Sequence, residues 1–390
     1  MAHNRKRLAG FITGIVSRVH LDTPLVYVKG VGPYRAEMLE AKGLVTVNSA
    51  IGASFQNIVK VNPGAAWLTN ANAFTGTTDI LDGEIVVTHS GALGSTAGNT
   101  IVASGATLAL AGGVNFTSAE TVKLAGNGET GASGAMDVED SSSVSFSGLL
   151  TMDAAARIGS GIGIGTLTLA SHLDTTAGAF ALTFAGNGTT NMNGTITGAG
   201  SVTKTGAGIL QLNGVATHTG TTTVSQGTLS TNLVSLPGAV VNFGTMIYDD
   251  VIDRTVTNNW GGNGTYIKQG AGTLTFSGTM STVGFLNLQA GTVKLGANER
   301  FASTLDLTVN SGAVFDLNAF TETIGPVELS GGSIVNSTGD STQFLAGSGY
   351  ELRSGTVSAR LGGPGALTKT TSGTLTLSGA NTFTGGTTVQ

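Results

Sequence analysis

Apolar and polar residues alternate along most of this chain, in short runs that begin near Ala50. Each run is bounded by Gly, Asn or Ser, and Thr and Val are frequent within it. Alternation with a period of two is typical of strands that bury one face, and the bounding residues are typical of turns. The pattern predicts an all-β protein in which almost no segment forms a helix longer than a turn or two. Representative runs are ATLALAG, SVSFSG, GTLTLAS, GILQLNG, TLTFSG and FLNLQAG.

Three stretches, beginning at Gly198, Gly262 and Gly363, repeat nearly the same sequence: GAGSVTKTGAGILQLNG, GNGTYIKQGAGTLTFSG and GPGALTKTTSGTLTLSG. In each, a lysine stands four residues after one glycine and four before another. Near the front, AFTGTTDILDGEIVV repeats the tail of the unit, with Gly76 and Gly83 seven residues apart. Fixed spacing of this kind predicts a stacked architecture. The lysines are Lys204, Lys268 and Lys369, and the repeat glycines are Gly200, Gly208, Gly214, Gly264, Gly272, Gly278, Gly365, Gly373 and Gly379.

The repeated spacing favours a right-handed parallel β-helix over a two-sheet sandwich, because a sandwich does not need identical internal spacing. At roughly 20 to 25 residues per coil, residues 51–390 would form about 14 to 17 coils. Each strand would pair with its counterparts in the coils above and below, at about 4.8 Å. The residues expected to point inward, in stacked apolar ladders, are Leu210, Leu212, Leu274, Phe276, Leu375 and Leu377.

The repeat glycines are expected at turns, either because the backbone adopts a positive φ or because stacked turns leave little room for a β carbon. The three repeat lysines admit two interpretations. The preferred one is a solvated ladder of cations on the outer face of the coils. The alternative is a contact with an anion or a glycan.

Composition supports a folded chain built from two different segments. Glycine accounts for 61 of 390 residues and charged residues for only 11%, yet apolar residues reach 40%, which is enough to bury a core. Residues 1–50 carry a formal charge of +4 and residues 51–390 one of −9, so the larger segment repels nucleic acid and anionic membranes on average. The chain has no cysteine, and no apolar run approaches the length needed to span a bilayer.

The repeat unit resembles the autotransporter-associated β-strand repeat of type V secreted bacterial proteins, over about residues 65–390. The unit GTLTLSGANTFTGGTTV (373–389) shows the pattern most fully, whereas Thr371 replaces a glycine in the same unit and the unit at Gly262 lacks the N-x-F segment. The resemblance implies a β-helix displayed outside a Gram-negative-type cell, commonly on a C-terminal outer-membrane barrel. Because the repeat stops inside a unit at Gln390, we expect a truncated passenger whose barrel is missing.

The front segment, residues 1–48, is interpreted as a basic leader ahead of the passenger repeats in 49–390. Within it, Gly30 and Gly32 permit a tight turn, and Pro33 begins a predicted helix that ends at Gly43. The sequence of residues 21–47 resembles the helix-hairpin-helix of the wedge domain of ATP-dependent DNA helicases of the RecG type. The candidate contacts to a DNA phosphate are Lys29, Gly30, Gly32 and Arg35.

Nothing later in the chain supplies a nucleotide-binding phosphate loop, so nucleotide-driven unwinding is excluded. The front segment is therefore interpreted as a fused or misassembled leader, with weak DNA binding as an alternative. A third interpretation is an export signal, because Arg5, Lys6 and Arg7 precede the apolar stretch LAGFITGIV.

Two acidic runs were considered as enzymatic sites, because polysaccharide-degrading enzymes with this fold need clustered carboxylates. Both runs are expected to be solvated loops, and no catalytic, cofactor-binding or metal-binding residue is assigned. We predict a secreted stalk or adhesin that contacts a host surface or a glycan through outward Thr, Ser and Asn ladders and through loops at 126–143 and 245–263. The acidic residues are Asp249, Asp250, Asp253 with Arg254, and Asp137, Glu139 and Asp140.

Overall fold

The structure is a computed structural model that describes residues 27–29, 45–47, 50–53, 57–161, 163–232, 236, 238–281 and 284–390. The chain divides into two compact units, residues 1–219 and 220–390. Each unit is a parallel β-solenoid, with about 16 turns in the two together, so the predicted fold class is confirmed. The described residues contain no helix, and the helix predicted from Pro33 to about Lys42 lies outside them.

The described residues of the first unit form eighteen strands, most of them two to five residues long. They are β1 (Tyr27–Lys29), β2 (Val45–Val47), β3 (Asn57–Leu68), β4 (Thr78–Val87), β5 (Asn99–Val102), β6 (Ala106–Leu110), β7 (Asn115–Phe116), β8 (Thr121–Gly126), β9 (Met136–Val138), β10 (Ser143–Phe146), β11 (Leu149–Gly159), β12 (Thr166–Leu169), β13 (Leu173–Asp174), β14 (Leu182–Ala185), β15 (Thr189–Met192), β16 (Ile196–Thr197), β17 (Val202–Lys204) and β18 (Ile209–Leu212).

Equivalent strands of successive coils pair in parallel and keep their register, which stacks like residues on like. One stack runs through β7, β10, β12, β15 and β18. Its inward row is apolar and buried, because alternate side chains of a strand point to opposite faces. That row is Phe116, Phe146, Leu169, Met192 and Leu212, and the polar row beside it is Asn115, Ser145, Thr168, Asn191 and Gln211.

The first coil of this unit has strand partners on both sides. β1 pairs with β3 in the antiparallel sense, with Tyr27 opposite Val59 and Lys29 opposite Asn57. β2 pairs with the second half of β3 in parallel, with Val45 opposite Ala66. The backbone groups at this edge of β3 are therefore bonded within the chain, as in solenoids whose terminal coil is capped.

The described residues of the second unit also form eighteen strands, which pair with one another in parallel. They are β19 (Thr222–Val224), β20 (Thr228–Thr231), β21 (Val240–Asn242), β22 (Thr245–Asp249), β23 (Arg254–Val256), β24 (Trp260–Gly262), β25 (Thr265–Gln269), β26 (Thr273–Phe276), β27 (Phe285–Leu288), β28 (Gly291–Leu295), β29 (Asp306–Asn310), β30 (Ala313–Asp316), β31 (Glu322–Val335), β32 (Phe344–Val357), β33 (Arg360–Gly362), β34 (Leu367–Lys369), β35 (Leu375–Leu377) and β36 (Thr387–Val389).

The core of the second unit is a long apolar ladder with an aromatic cluster beside it. Trp260 contacts Tyr266 and Phe276, with ring centroids 5.6 and 5.2 Å apart, and Phe276 contacts Phe301 at 5.2 Å. Such ring pairs stabilise a core beyond their buried area. The ladder is Met246, Tyr266, Leu286, Leu307, Val327, Tyr350 and Leu367.

The predicted inward residues behave as expected except in the last coil. Leu210, Leu212, Leu274 and Phe276 are buried, whereas Leu375 is half-buried and Leu377 is 38% exposed. Residues of the last coil are packed from one side only within the described chain. In the part of the chain that the structure describes, no helix is long and apolar enough to cross a membrane.

Candidate functional site

Four lysines occupy equivalent positions, each just before a turn. Three are at or next to the last residue of a short strand, and Lys60 lies inside the long strand β3. In every case the ammonium donates to the carbonyl oxygen of the second residue after the lysine. For Lys204 and Lys268 the acceptors are Gly206 and Gly270, both at 2.7 Å. We call this arrangement the lysine turn. The other two pairs are Lys60 with Asn62 and Lys369 with Thr371.

Three of these lysines are buried, so the prediction of a solvated outer ladder is wrong. Lys60, Lys204 and Lys268 are at most 3% exposed. The register explains the burial: Lys204 is level with Phe184, and Lys268 is level with Tyr248 and Leu288, all on the inward face. A lysine fits there because its methylene stem packs among apolar side chains while its ammonium reaches the carbonyl oxygens of the turn.

Burial changes the protonation of these amines. Desolvation lowers the pKa of Lys204 to about 8 and also lowers the pKa of Lys60 and Lys268. For Lys268, the carboxyls of Asp249, Asp250 and Asp253 oppose that shift. The carbonyl oxygens of the turn supply the acceptors that a buried ammonium requires.

The residue two positions after the lysine has a special backbone in the two central repeats. Gly206 and Gly270 have φ values of 73° and 70°, in the left-handed region that favours glycine. In the first and last repeats that position holds Asn62 and Thr371, neither of which has a positive φ. The lysine bond is therefore kept with or without the left-handed glycine.

A second glycine closes the lysine turn from the following coil. Gly83 and Gly291 each follow a repeat lysine by 23 residues and have φ values of 68° and 67°. A β carbon on Gly83 would lie 2.5 Å from Nζ of Lys60, and one on Gly291 would lie 2.9 Å from Nζ of Lys268. A side chain at these two positions would therefore displace the ammonium below it.

The nine repeat glycines predicted from sequence lie where the backbones of adjacent coils approach closely. None of them has a positive φ, which instead belongs to neighbours such as Gly198, Gly262 and Gly363. At eight of the nine, a β carbon would lie less than 3.0 Å from a carbonyl oxygen of the preceding coil, and at Gly373 it would meet the side chain of Ser354 at 2.8 Å. These glycines are needed for space and not for a left-handed turn.

The first acidic run belongs to a regular coil, so the loop predicted at 245–263 is wrong. Three strands, β22, β23 and β24, lie within it. Asp250 is buried and accepts from Nε of Arg254 at 3.1 Å and from the backbone N–H of Ile252 at 3.0 Å. Asp253 is exposed and accepts from the N–H of Thr273 in the next coil at 2.7 Å, which lowers its pKa. Both carboxylates therefore bond groups of the solenoid itself.

The second acidic run is also used internally. Asp137 is buried and accepts from the backbone N–H groups of Ser133, Val138 and Gly161, at 2.5 to 2.9 Å. Asp140 is exposed and accepts from the N–H of Gly112 at 2.8 Å. Part of the predicted loop at 126–143 is strand β9.

Among the described residues, the sequence reasoning missed four buried carboxyl groups: Glu84, Glu120, Glu322 and Asp316, the last of which pairs with Lys294 at 3.6 Å. Glu84 is 5% exposed and hydrogen-bonded to Glu139, and burial together with the charges of Glu139 and Glu129 raises the pKa of Glu84 to about 8. Burial also raises the pKa of Glu120 to about 7 and that of Glu322 to about 8. No group of His, Cys, Asp or Glu among the described residues is arranged to hold a metal ion.

The predicted DNA contacts fall mostly outside the described residues. Lys29 is the last residue of β1, whose backbone pairs with β3. Gly30, Gly32 and Arg35 lie outside the described part of the chain. Phosphate binding by this segment stays a prediction.

The geometry defines a class of protein: a parallel β-solenoid built from repeats, each of which begins at a lysine turn. The passenger-associated-transport-repeat family matches residues 58–87, 202–230, 267–295 and 367–390. These four segments of the chain are therefore similar to passenger-associated-transport repeats. Each match includes one of the four lysines, and the first three also include the glycine that lies 23 residues later.

The first match begins at Ile58, whereas the resemblance predicted from the sequence begins at about residue 65. The prediction started too late because Lys60 was not recognised as a repeat lysine. The signal that could have found it is the spacing between Lys60 and Gly83. No curated protein and no solved structure matches the chain significantly. The resemblance of residues 21–47 to a helicase wedge segment stays a prediction.

Proposed function

We propose that this chain is the exported passenger of an autotransporter and serves on the outer cell surface of a Gram-negative-type bacterium as a stalk or adhesin, without enzymatic activity. The observation that carries the proposal is the set of four passenger repeats, each with its own lysine turn, within a parallel solenoid. The partner would be a host surface or a glycan.

The repeats suit a chain that folds after crossing a membrane. Each coil bonds mainly to the coils next to it, so a solenoid can nucleate at one place and grow by addition of coils. The lysine turn is completed locally, since its first acceptors lie within two residues of the lysine. The full sequence also has no cysteine, so no disulfide can form prematurely in an oxidising periplasm.

Surface display tests this proposal directly. The chain would be placed between a cleavable export signal and the outer-membrane translocator of a characterised autotransporter, and intact cells would be treated with protease and with antibody to the chain. We expect the chain to be labelled by antibody and cleaved by protease on intact cells. Retention of the whole chain in the periplasm, while the translocator is inserted, would overturn the proposal.

A pair of glycine variants links display to the repeat. Gly291→Gln would push a side chain against the ammonium of Lys268, so we expect less displayed protein and more degradation. Gly312→Gln is the matched control, because Gly312 also has a positive φ (82°) but no atom lies within 4 Å of its β-carbon position. Equal display of the two variants would show that closure of the lysine turn is not needed for export.

A further inference from the structure

One outer face of the second unit is unusual in composition. β22, β25, β27 and β29 pair in register, so their outward residues form straight rows across four coils. The first row is Thr245, Thr265, Phe285 and Asp306, and the second is Ile247, Ile267, Asn287 and Thr308. The third row begins Asp249, Gln269 and continues with Gln289 and Asn310. We call these residues the amide face.

An aromatic ring projects from the first row of the amide face. Phe285 is 55% exposed, although its neighbours Leu286 and Leu288 on the same strand are buried. The half-buried side chains of Ile247 and Ile267 lie in the adjacent row. Exposed rings on a flat, rigid sheet are typical of surfaces that bind a partner, because a ring presents a large contact area with little conformational freedom to lose.

Side-chain amides occupy the two rows beside that ring and pair with each other along the coils. Nε2 of Gln269 donates to Oε1 of Gln289 at 2.7 Å, and Nδ2 of Asn310 donates to Oδ1 of Asn287 at 2.7 Å. A primary amide has two donor hydrogens and an oxygen with two lone pairs. Each pair therefore fixes the orientation of its amides and leaves further donors and acceptors for a ligand.

The charge of the amide face selects among ligands. Its rows contain no lysine or arginine, and its only charged side chains are Asp249 and Asp306 at two corners. An anionic polymer such as nucleic acid or a uronic-acid chain would meet repulsion there and no compensating cation. A neutral ligand rich in hydroxyl groups matches both the amides and the ring.

We propose that the amide face binds a neutral linear glycan, with one sugar ring stacked on Phe285 and neighbouring hydroxyls bonded to the amides of Asn287, Gln269 and Gln289. Phe285, Asn287 and Gln289 follow one another along a single coil and span about 13 Å, so successive sugars of a chain laid along this coil would meet the ring and then the amides. This inference rests on the adhesin part of the proposed function and names its ligand class.

The binding test uses the purified chain and titration calorimetry. The probes are neutral gluco-, manno- and galacto-oligosaccharides long enough to reach from Phe285 to Gln289, with polygalacturonate as the anionic comparison. We expect at least one neutral probe to bind and polygalacturonate to bind more weakly or not at all. If no neutral probe binds, or if polygalacturonate binds best, the proposal fails, while the surface-display result stands or falls by itself.

Matched phenylalanine variants locate the site. Phe285→Ala should weaken binding about tenfold or more, the loss typical of an aromatic anchor, and Phe285→Tyr should retain it. Phe243→Ala is the control, because Phe243 is also 55% exposed in this unit but lies outside the amide face. Equal affinity of the two alanine variants would overturn the assignment. Self-association of the chain that Phe285→Ala abolishes would instead make this face a contact between copies.

Discussion

Two lysine turns of the second unit share their local bond but differ in what covers them. Lys268 is 1% exposed, is level with buried Leu288 of the following coil, and donates to Ala290 of that coil at 3.5 Å as well as to its own turn. Lys369 makes the equivalent bond to its own turn, yet it is half-buried and is level with Val389, which is 74% exposed.

The difference between the two turns shows that one factor forms the lysine hydrogen bond and another sets how much its loss costs. The bond to the second following carbonyl forms in both turns, so the local Lys-x-x sequence and the strand end are sufficient to make it. What the covering coil adds is desolvation, which makes an unmade hydrogen bond expensive. Loss of the lysine is therefore expected to destabilise the solenoid more, the more completely the next coil buries the lysine turn.

Removal of the buried ammonium should have the largest effect. Lys268→Ala leaves the carbonyl oxygens of Gln269 and Gly270 without their donor and opens a cavity, and we expect a loss of about 3 kcal/mol in the free energy of unfolding. The midpoint of urea unfolding, followed by circular dichroism, measures it. Lys268→Met fills the space without donors and should recover part of the loss. A loss for Lys268→Ala no larger than that for Lys369→Ala would contradict the comparison.

The glycines four residues after these lysines provide a second matched pair. A β carbon at Gly272 would meet Ile252 backbone atoms at 2.5 to 2.8 Å, whereas one at Gly373 would meet the half-buried side chain of Ser354. Backbone cannot yield as a serine side chain can, so Gly272→Ala should cost about 2 kcal/mol and Gly373→Ala clearly less. Thermal unfolding of the two variants measures this difference. The ranking would be refuted by equal shifts in Tm.

The spacing of the repeat was sufficient to predict the fold. Alternation identified the strands, and identical glycine spacing in three units required coils that stack in register. The same information located the nine close-approach glycines. It could not show whether each is required because a β carbon would not fit or because the backbone has a positive φ. Gly270 and Gly272 are two residues apart in the same turn, yet only Gly270 has a positive φ.

The orientation of the lysines could not be predicted, because a charged residue in an alternating strand is normally on the solvated face. In VTK, Lys204 stands two residues after Val202, and that alternation does place both on one side. The sequence does not show that carbonyl oxygens lie at the end of the strand, where the ammonium can donate to them. The contact of buried Glu84 with exposed Glu139 was hidden for a related reason, since it joins residues from different coils.

Protonation extends the comparison to the first unit, where burial lowers the pKa of Lys204 to about 8 from its ordinary 10.5. Between those pH values the unfolded chain holds a proton that the folded chain has lost, so stability should rise with pH across that window. We expect a gain of about 1–2 kcal/mol relative to Lys204→Met between pH 8 and 10.5. Urea unfolding of both proteins at several pH values gives the difference, and parallel curves would show that this amine does not titrate there.

The smallest effect is expected where the covering coil is least complete. Lys369→Ala removes a bond whose acceptors, the carbonyl and hydroxyl oxygens of Thr371, are exposed and can bond water instead. The free energy of unfolding should therefore change by less than about 0.5 kcal/mol, as for most surface substitutions. Urea unfolding beside Lys268→Ala provides the reference. A large loss of stability in Lys369→Ala would mean that the local hydrogen bond itself stabilises the turn. Burial by the next coil would then not explain the effect of losing a repeat lysine.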